Sequence, residues 1–368
     1  MMKTTLILRT GLLGICLCFL LSVAALGQAI DAPRQSQEAY VKQKIGLTWV
    51  SVHYHSPSVT DGRGNDRSGK VWGQLVPYGQ LWRAGANENT VVAFSDDVKV
   101  EGKALAAGKY GLHMEPGEKE WTVVFSKNTS SWGSFFYKEE EDALRVTVTP
   151  RQIQDKREWL SYDFTNRKGG TAELALSWEY LQVPIQIEVD VHALAIQNFK
   201  DELRGVSAFS WQGWNQAATY CLQNDVELEQ GLAWAERSIA GGFGAEANYN
   251  TLSTKALILA KLNRQEEADN TMAKAVEVGN VFQIHQYGRL LIGRGQTDKA
   301  LEVFKKNADM HPKTWPINVG LARGYSAVGN YKKALNHAKI ALGNAPDELN
   351  KNSLTNMIQL LEEGKDVN

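Results

Sequence analysis

Along the first half of the chain, apolar residues fall in short runs that alternate with polar ones and end at turn residues. This period-two pattern predicts strands over Leu47 to Tyr54, Val91 to Phe94, Lys109 to Met114, Trp121 to Phe125, Leu144 to Val148, Trp159 to Phe164, Thr171 to Trp178 and Ile185 to Val191. Glycine turns separate several of them, at Glu101-Gly102-Lys103, Pro116-Gly117-Glu118 and Lys168-Gly169-Gly170. Many short strands with regular turns predict an antiparallel, β-sandwich-like domain over residues 45–191. Seven of the eleven tryptophans lie there, which suits strand faces packing against a core.

Beyond residue 191 the pattern changes to small and apolar residues at helical spacing. The clearest unit runs from Trp315 to Pro346, with Leu321, Ala322, Tyr325, Ala334, Ala338 and Ala341 between. The unit before it places Tyr287, Gly288, Leu291, Ala300, Phe304, Ala308 and Pro312 in nearly the same frame. Ala300 to Ala334 and Pro312 to Pro346 are both 34 residues apart, the period of tetratricopeptide repeats. Ala256, Leu259, Ala268 and Met272 mark an earlier unit, and Trp214, Ala217, Ala218, Ala233 and Ala240 a degenerate first one. A terminal segment from Leu349 to Glu363 would cap the stack. The expected architecture is therefore multidomain α+β: a β-sandwich-like domain followed by an all-α, tetratricopeptide-like repeat domain over 192–368.

The N-terminus changes the picture of where the chain works. Lys3 and Arg9 precede an apolar run from Gly11 to Leu21 and then small residues to Gly27, the pattern of a secretory signal peptide over 1–27, with 28–44 as a leader of the mature chain. That run is too short to span a membrane, and no later segment is apolar for long enough, so no transmembrane segment is expected. Neither Cys16 nor Cys18 follows a small residue, so the chain is not expected to be a lipoprotein. A periplasmic or secreted location follows. Cleavage before Gln28 would remove Lys3, Arg9 and no acid, moving the net charge from −1 to −3, which offers nothing to nucleic acid. It would also leave Cys221 without an internal disulfide partner.

Candidate chemistry is sparse. His53 and His55 are two apart in an expected strand, so both rings face one side, a geometry that could hold a divalent metal, with His113, Glu88 or Glu115 as a third ligand. No other cofactor is expected. Trp82, Arg83, Asn87 and Glu88 form the densest polar and aromatic cluster of the β domain; arginine offers a fork for a carboxylate and tryptophan a stacking face for a sugar or peptide. The plainer reading is an internal Arg83 to Glu88 pair that fastens a loop, with Trp82 in the core. The acidic run Glu139 to Asp142 and the loop Asp61 to Asp66 read as solvated turns, and Cys221 as a packing residue on a helix. There is no HExxH, GxSxG, P-loop or CxxC motif.

The stretches Trp72-Gly73-Gln74-Leu75-Val76-Pro77-Tyr78-Gly79, Leu81-Trp82-Arg83-Ala84-Gly85-Ala86-Asn87-Glu88, Ala107-Gly108-Lys109-Tyr110, Pro116-Gly117-Glu118-Lys119-Glu120-Trp121 and Tyr137-Lys138-Glu139-Glu140-Glu141-Asp142 resemble the bacterial family called domain of unknown function 2911. The resemblance implies an exported protein of the Bacteroidetes type, fused to repeats, and transfers no catalytic residue. At Tyr54-His55-Ser56-Pro57 the chain departs from the family's usual Tyr-Ser-x-Pro-like stretch, so His53 and His55 are read from their spacing alone.

The expected function is a periplasmic binding or scaffold protein, with protein or peptide partners on the repeats and a glycan or peptide ligand near Trp82, Arg83 and Glu88. A hydrolase of an envelope or dietary polymer, metal-dependent through His53 and His55, is the alternative. A structural envelope-assembly factor is the third reading.

Overall fold

A computed structural model describes residues 33–368 apart from Lys313. The expected signal peptide, with Cys16 and Cys18, lies outside the described residues. The chain divides into two compact units, meeting between Val191 and His192.

The β unit consists of two antiparallel sheets. The larger has the order β1-β2-β3-β6-β7-β8, from β1 (Gln37–Ile45), β2 (Thr48–Ser56), β3 (Thr90–Phe94), β6 (Gly108–Glu115), β7 (Trp121–Ser126) and β8 (Asp142–Val148). The smaller runs β5-β4-β10-β9, from β4 (Val98–Val100), β5 (Lys103–Leu105), β9 (Arg151–Lys168) and β10 (Thr171–Glu188). Alternate residues of β2, Val50, Val52 and Tyr54, are buried, as period two demands when one face meets a core. Tyr54 meets Tyr162 of β9 edge-on, with ring centres 4.8 Å apart. Trp72 lies against Trp82, Trp121 of β7 and Trp178 of β10, so one indole group ties both sheets together.

Three differences from the sequence reading have local causes. The segment taken as a leader supplies β1, whose nine residues pair with β2 in unbroken register from Gln37–Ser56 to Ile45–Thr48. It had no apolar signature because its residues are mostly exposed on an edge strand. Two expected strands, 171–178 and 185–191, are one strand, β10, carried through a bulge at Glu179, whose φ is +54°. Pro184 falls between the last pairing with β9, Gln182–Arg151, and the first with β4, Ile187–Val100, where its missing N–H interrupts no listed rung of the ladder. The short hairpin β4–β5 turns on Glu101 and Gly102, both at positive φ, with too few residues in either strand to show alternation.

The helical unit holds ten α-helices among the described residues: α1 (Val191–Glu202), α2 (Trp211–Asn224), α3 (Leu228–Ile239), α4 (Tyr249–Lys261), α5 (Gln265–Val278), α6 (Val281–Gly293), α7 (Thr297–Met310), α8 (Trp315–Ala327), α9 (Tyr331–Gly343) and α10 (Glu348–Glu362). Helices α2 to α9 form four hairpins, and α10 caps the last with Leu354, Met357 and Leu361 buried. Asn248 and Asn280 open α4 and α6 with capping boxes, reciprocated by Thr251 and Gln283. The repeat positions pack as their spacing requires: Ala300 and Ala334, 34 residues apart, are fully buried. Phe304 of α7 fills a socket made by Gly288, Gly320 and Gly324, where an added Cβ would come within 2.5, 2.6 and 2.8 Å of its ring. The first hairpin corrects the expected frame. Leu232, Trp234 and Ala235 are buried there, whereas Ala233 and Ala240 are exposed.

Candidate functional site

The turn from Trp82 to Glu88 is built by exchange of backbone bonds between Trp82 and Met114 of β6, at 2.7 and 2.8 Å. Trp82 Nε1 donates to the carbonyl of Gly85 at 3.0 Å, and its ring lies 6.2 Å from that of Trp178 in a stacked arrangement. Ala84 and Asn87 adopt positive φ, +53° and +57°, so the turn alternates the sides on which its residues emerge. Gly85 is required, because a Cβ there would stand 2.6 Å from Thr90 Oγ1.

The four candidate ligand residues separate. Trp82 joins the indole group. Asn87 donates to the carbonyl of Ser36 at 3.3 Å and so fastens the segment leading into β1. Glu88 accepts two bonds from Arg34, at 2.6 and 2.8 Å, and lies 3.4 Å from His55. The Arg34 bonds hold its carboxyl below the usual value. Arg83 therefore does not take part in the loop-fastening pair its spacing suggests. Its Nε is buried with no acceptor, and its guanidinium stands 5.7 Å from the ring centre of Trp132. Burial holds the guanidinium pKa below normal, with Glu88 opposing through longer-range attraction.

Two clefts result. One, of about 480 Å³, is lined by Arg34, Glu38, His53, His55 and Glu88 among others. His53 and His55 share a face, as their spacing predicts, with ring centres 6.1 Å apart. Each imidazole meets a glutamate: His53 Nε2 lies 2.5 Å from Glu38, and His55 lies beside Glu88. Burial lowers the His55 pKa despite the two carboxylates, and its Nδ1 is enclosed without a partner. His113, proposed as a third metal ligand, stands elsewhere. It is on β6 with β3 between it and β2, which separates the backbones by roughly 10 Å. Its Nδ1 meets Ser134 Oγ at 2.8 Å, its ring packs on Tyr137, and burial brings its pKa down to about 4. Among the described residues, no group of three or more His, Cys, Asp or Glu side chains is placed to hold a metal ion.

The second cleft, of about 520 Å³, lies on the other side of the turn and is lined by Trp82 and Arg83 with Leu75, Pro77, Leu81 and Phe135. The acidic run beside it is structural. Residues 139–141 form one 3-10 turn, while Asp142 accepts from Tyr137 Oη at 2.7 and 2.8 Å and from Arg145 at 2.5 Å. Asp61 closes its own loop by accepting from the backbone of Arg63 and Asn65. Cys221 is buried against Gly231, and burial raises its thiol pKa to about 11, which suits packing and not attack.

In the helical unit, sequence reasoning missed a cationic face. Arg289 of α6 and Arg323 of α8 are 34 residues apart and so occupy the same repeat position on adjoining helices. That spacing was the available signal. Burial first, and then Arg289, lower the pKa of Arg323. His285, one turn before Arg289, has its Nδ1 enclosed without a partner and a pKa brought down to about 4 by burial, with both arginines adding to the effect. The segment Asp366-Val367-Asn368 lies on α8 beside them. Arg323 donates to the carbonyl of Val367 at 3.2 Å, and Ser326 Oγ donates to Asp366 at 2.6 Å and accepts from Val367 N at 3.1 Å.

No curated protein matches the chain. Solved structures similar to it include the C-terminal part of a TPR repeat-containing protein from Cytophaga hutchinsonii, at 16% identity over 46% of this chain and 66% of that one, with a TM-score of 0.35. A tetratricopeptide repeat protein from Parabacteroides merdae matches at 17% identity over 47% of this chain and 69% of that one, TM-score 0.32. YrrB, described as a TPR protein with an unusual peptide-binding site, matches at 18% identity over 45% and 83%, TM-score 0.30. Residues 36–187 match the model of one protein family, and the β unit thus belongs to the family described as protein of unknown function, DUF2911, joined here to tetratricopeptide-like repeats.

Proposed function

We propose that this protein is an exported interaction scaffold whose helical unit takes an extended acidic segment of a protein partner along α6 and α8. The observation that carries this reading is the pair Arg289 and Arg323 at one repeat position, together with the extended segment 366–368 held beside Arg323. Stacked repeats present successive first helices as a continuous surface, so a residue repeated at their period makes a row that an extended chain can follow. Arg289 is exposed and forms no ion pair among the described residues, which leaves its charge for a partner. Arginine suits the task because its fork takes a carboxylate with two parallel bonds. Export rests on the signal-peptide pattern of residues 1–27.

The test is fluorescence anisotropy of a labelled peptide that carries the Asp-Val-Asn segment flanked by further acids, measured beside its lysine counterpart. The acidic peptide is expected to bind and to weaken as salt rises, and the lysine peptide to show no saturation. Equal binding of the two, or none, overturns the reading.

A further inference from the structure

The cleft beside Arg83 combines features that no part of the fold accounts for. Arg83 is a half-buried cation whose Nε has no acceptor, and Glu88, the acid nearest in sequence, is committed to Arg34 and His55. Leaving such a group unsatisfied is costly, and a ligand that supplies the missing acceptor removes that cost. Next to it stands a flat aromatic wall. Trp132 and Phe135 are stacked, 6.2 Å between centres and 11° from parallel, and 52% and 74% exposed. Gly133 at φ +66° makes the arrangement accessible to the chain, since a Cβ there would sit 3.1 Å from the Phe135 ring and 3.3 Å from Arg83 Nη1. Leu75, Pro77 and Leu81 give the remaining wall no charge.

We propose that this cleft binds a small ring-bearing carboxylate, its carboxylate on the Arg83 guanidinium and its ring against Phe135 and Trp132. The volume, about 520 Å³, lies in the range of small-molecule sites. A single cation among apolar walls matches one negative charge, whereas a phosphate dianion would call for more donors than the cleft supplies. Exposed parallel rings provide a platform for either an aromatic ring or the apolar face of a sugar. The shared chemistry is thus a carboxylate beside a flat ring, available from an aryl acid or from a uronic acid.

The full chain should be titrated with phenylacetate and with glucuronate, and with phenylacetamide and glucose as their uncharged counterparts, following tryptophan fluorescence and the heat of binding. One of the two acids is expected to saturate, and its neutral counterpart to bind at least roughly tenfold more weakly. Saturation by phenylacetate alone assigns an aryl acid, and by glucuronate alone a uronate. Arg83→Gln should abolish the difference between acid and neutral compound. Phe135→Ala, at an exposed position that folding does not need, should weaken both members of the pair. No saturation with either acid, equal affinity for acid and neutral compound, or binding unchanged in Phe135→Ala would overturn the assignment.

Discussion

In the β unit, Trp72 is surrounded by Trp82, Trp121 and Trp178, which come from a loop turn and from strands of two sheets. In the helical unit, Phe304 is surrounded by Gly288, Gly320 and Gly324, all from the first helices of its own and the next hairpin. The first core is assembled from distant parts of the chain and depends on large rings. The second is assembled from neighbours and depends on the absence of side chains around one ring. Damage in the β unit should therefore be global to that unit, and damage in the helical unit graded along the stack.

The sharpest way to expose this contrast is Trp178→Ala. Trp178 is 1% exposed, and emptying its place should cost about 3–5 kcal/mol. The near-ultraviolet signal of the β unit should collapse at a lower denaturant concentration while the helical signal at 222 nm persists; joint loss of both would merge the two units into one cooperative system.

Acid is the next probe. His113 gives up its proton in the folded β unit down to about pH 4, whereas in the unfolded chain it takes one near pH 6.5. Between those values the unfolded chain binds the extra proton, so the contribution is complete above pH 6.5 and is lost as pH falls toward 4, about 3 kcal/mol in all. Denaturation of the protein at stepped pH should show this slope in the β-unit transition, and His113→Leu should flatten it. A slope unchanged in the variant would assign acid sensitivity to other groups.

A smaller effect is expected from Gly320→Ala. The added methyl would meet Phe304 at 2.6 Å, and overpacking of this kind costs about 1–3 kcal/mol. Thermal unfolding followed at 222 nm should shift downward, with the β unit unaffected.

The same contrast explains what was legible in the sequence. The helical repeats were readable because each buried alanine and proline recurs at a fixed interval, and the one misplaced frame, at Ala233 and Ala240, fell in the hairpin where the repeat is degenerate. In the β unit the buried central strands were readable from alternation, while β1 was not, because an edge strand with an exposed face carries no apolar signal. The site residues were located but misgrouped. Trp82, Arg83, Asn87 and Glu88 are adjacent in sequence, yet positive φ at Ala84 and Asn87 turns them to different sides, toward the indole group, the aromatic cleft and the histidine cleft. No rule of spacing shows that Arg34, 54 residues before Glu88, takes the carboxylate that Arg83 lacks. Arg289 and Arg323 were the reverse case, since their period was visible and only the packing of α6 on α8 gave it meaning.

The most direct measurement is charge reversal on that face. With the labelled acidic peptide and its lysine counterpart, the Arg289→Glu, Arg323→Glu double variant should lose the acidic peptide and gain the lysine one, while its helical signal at 222 nm stays that of the natural protein. Undiminished binding of the acidic peptide by a folded double variant would contradict the account.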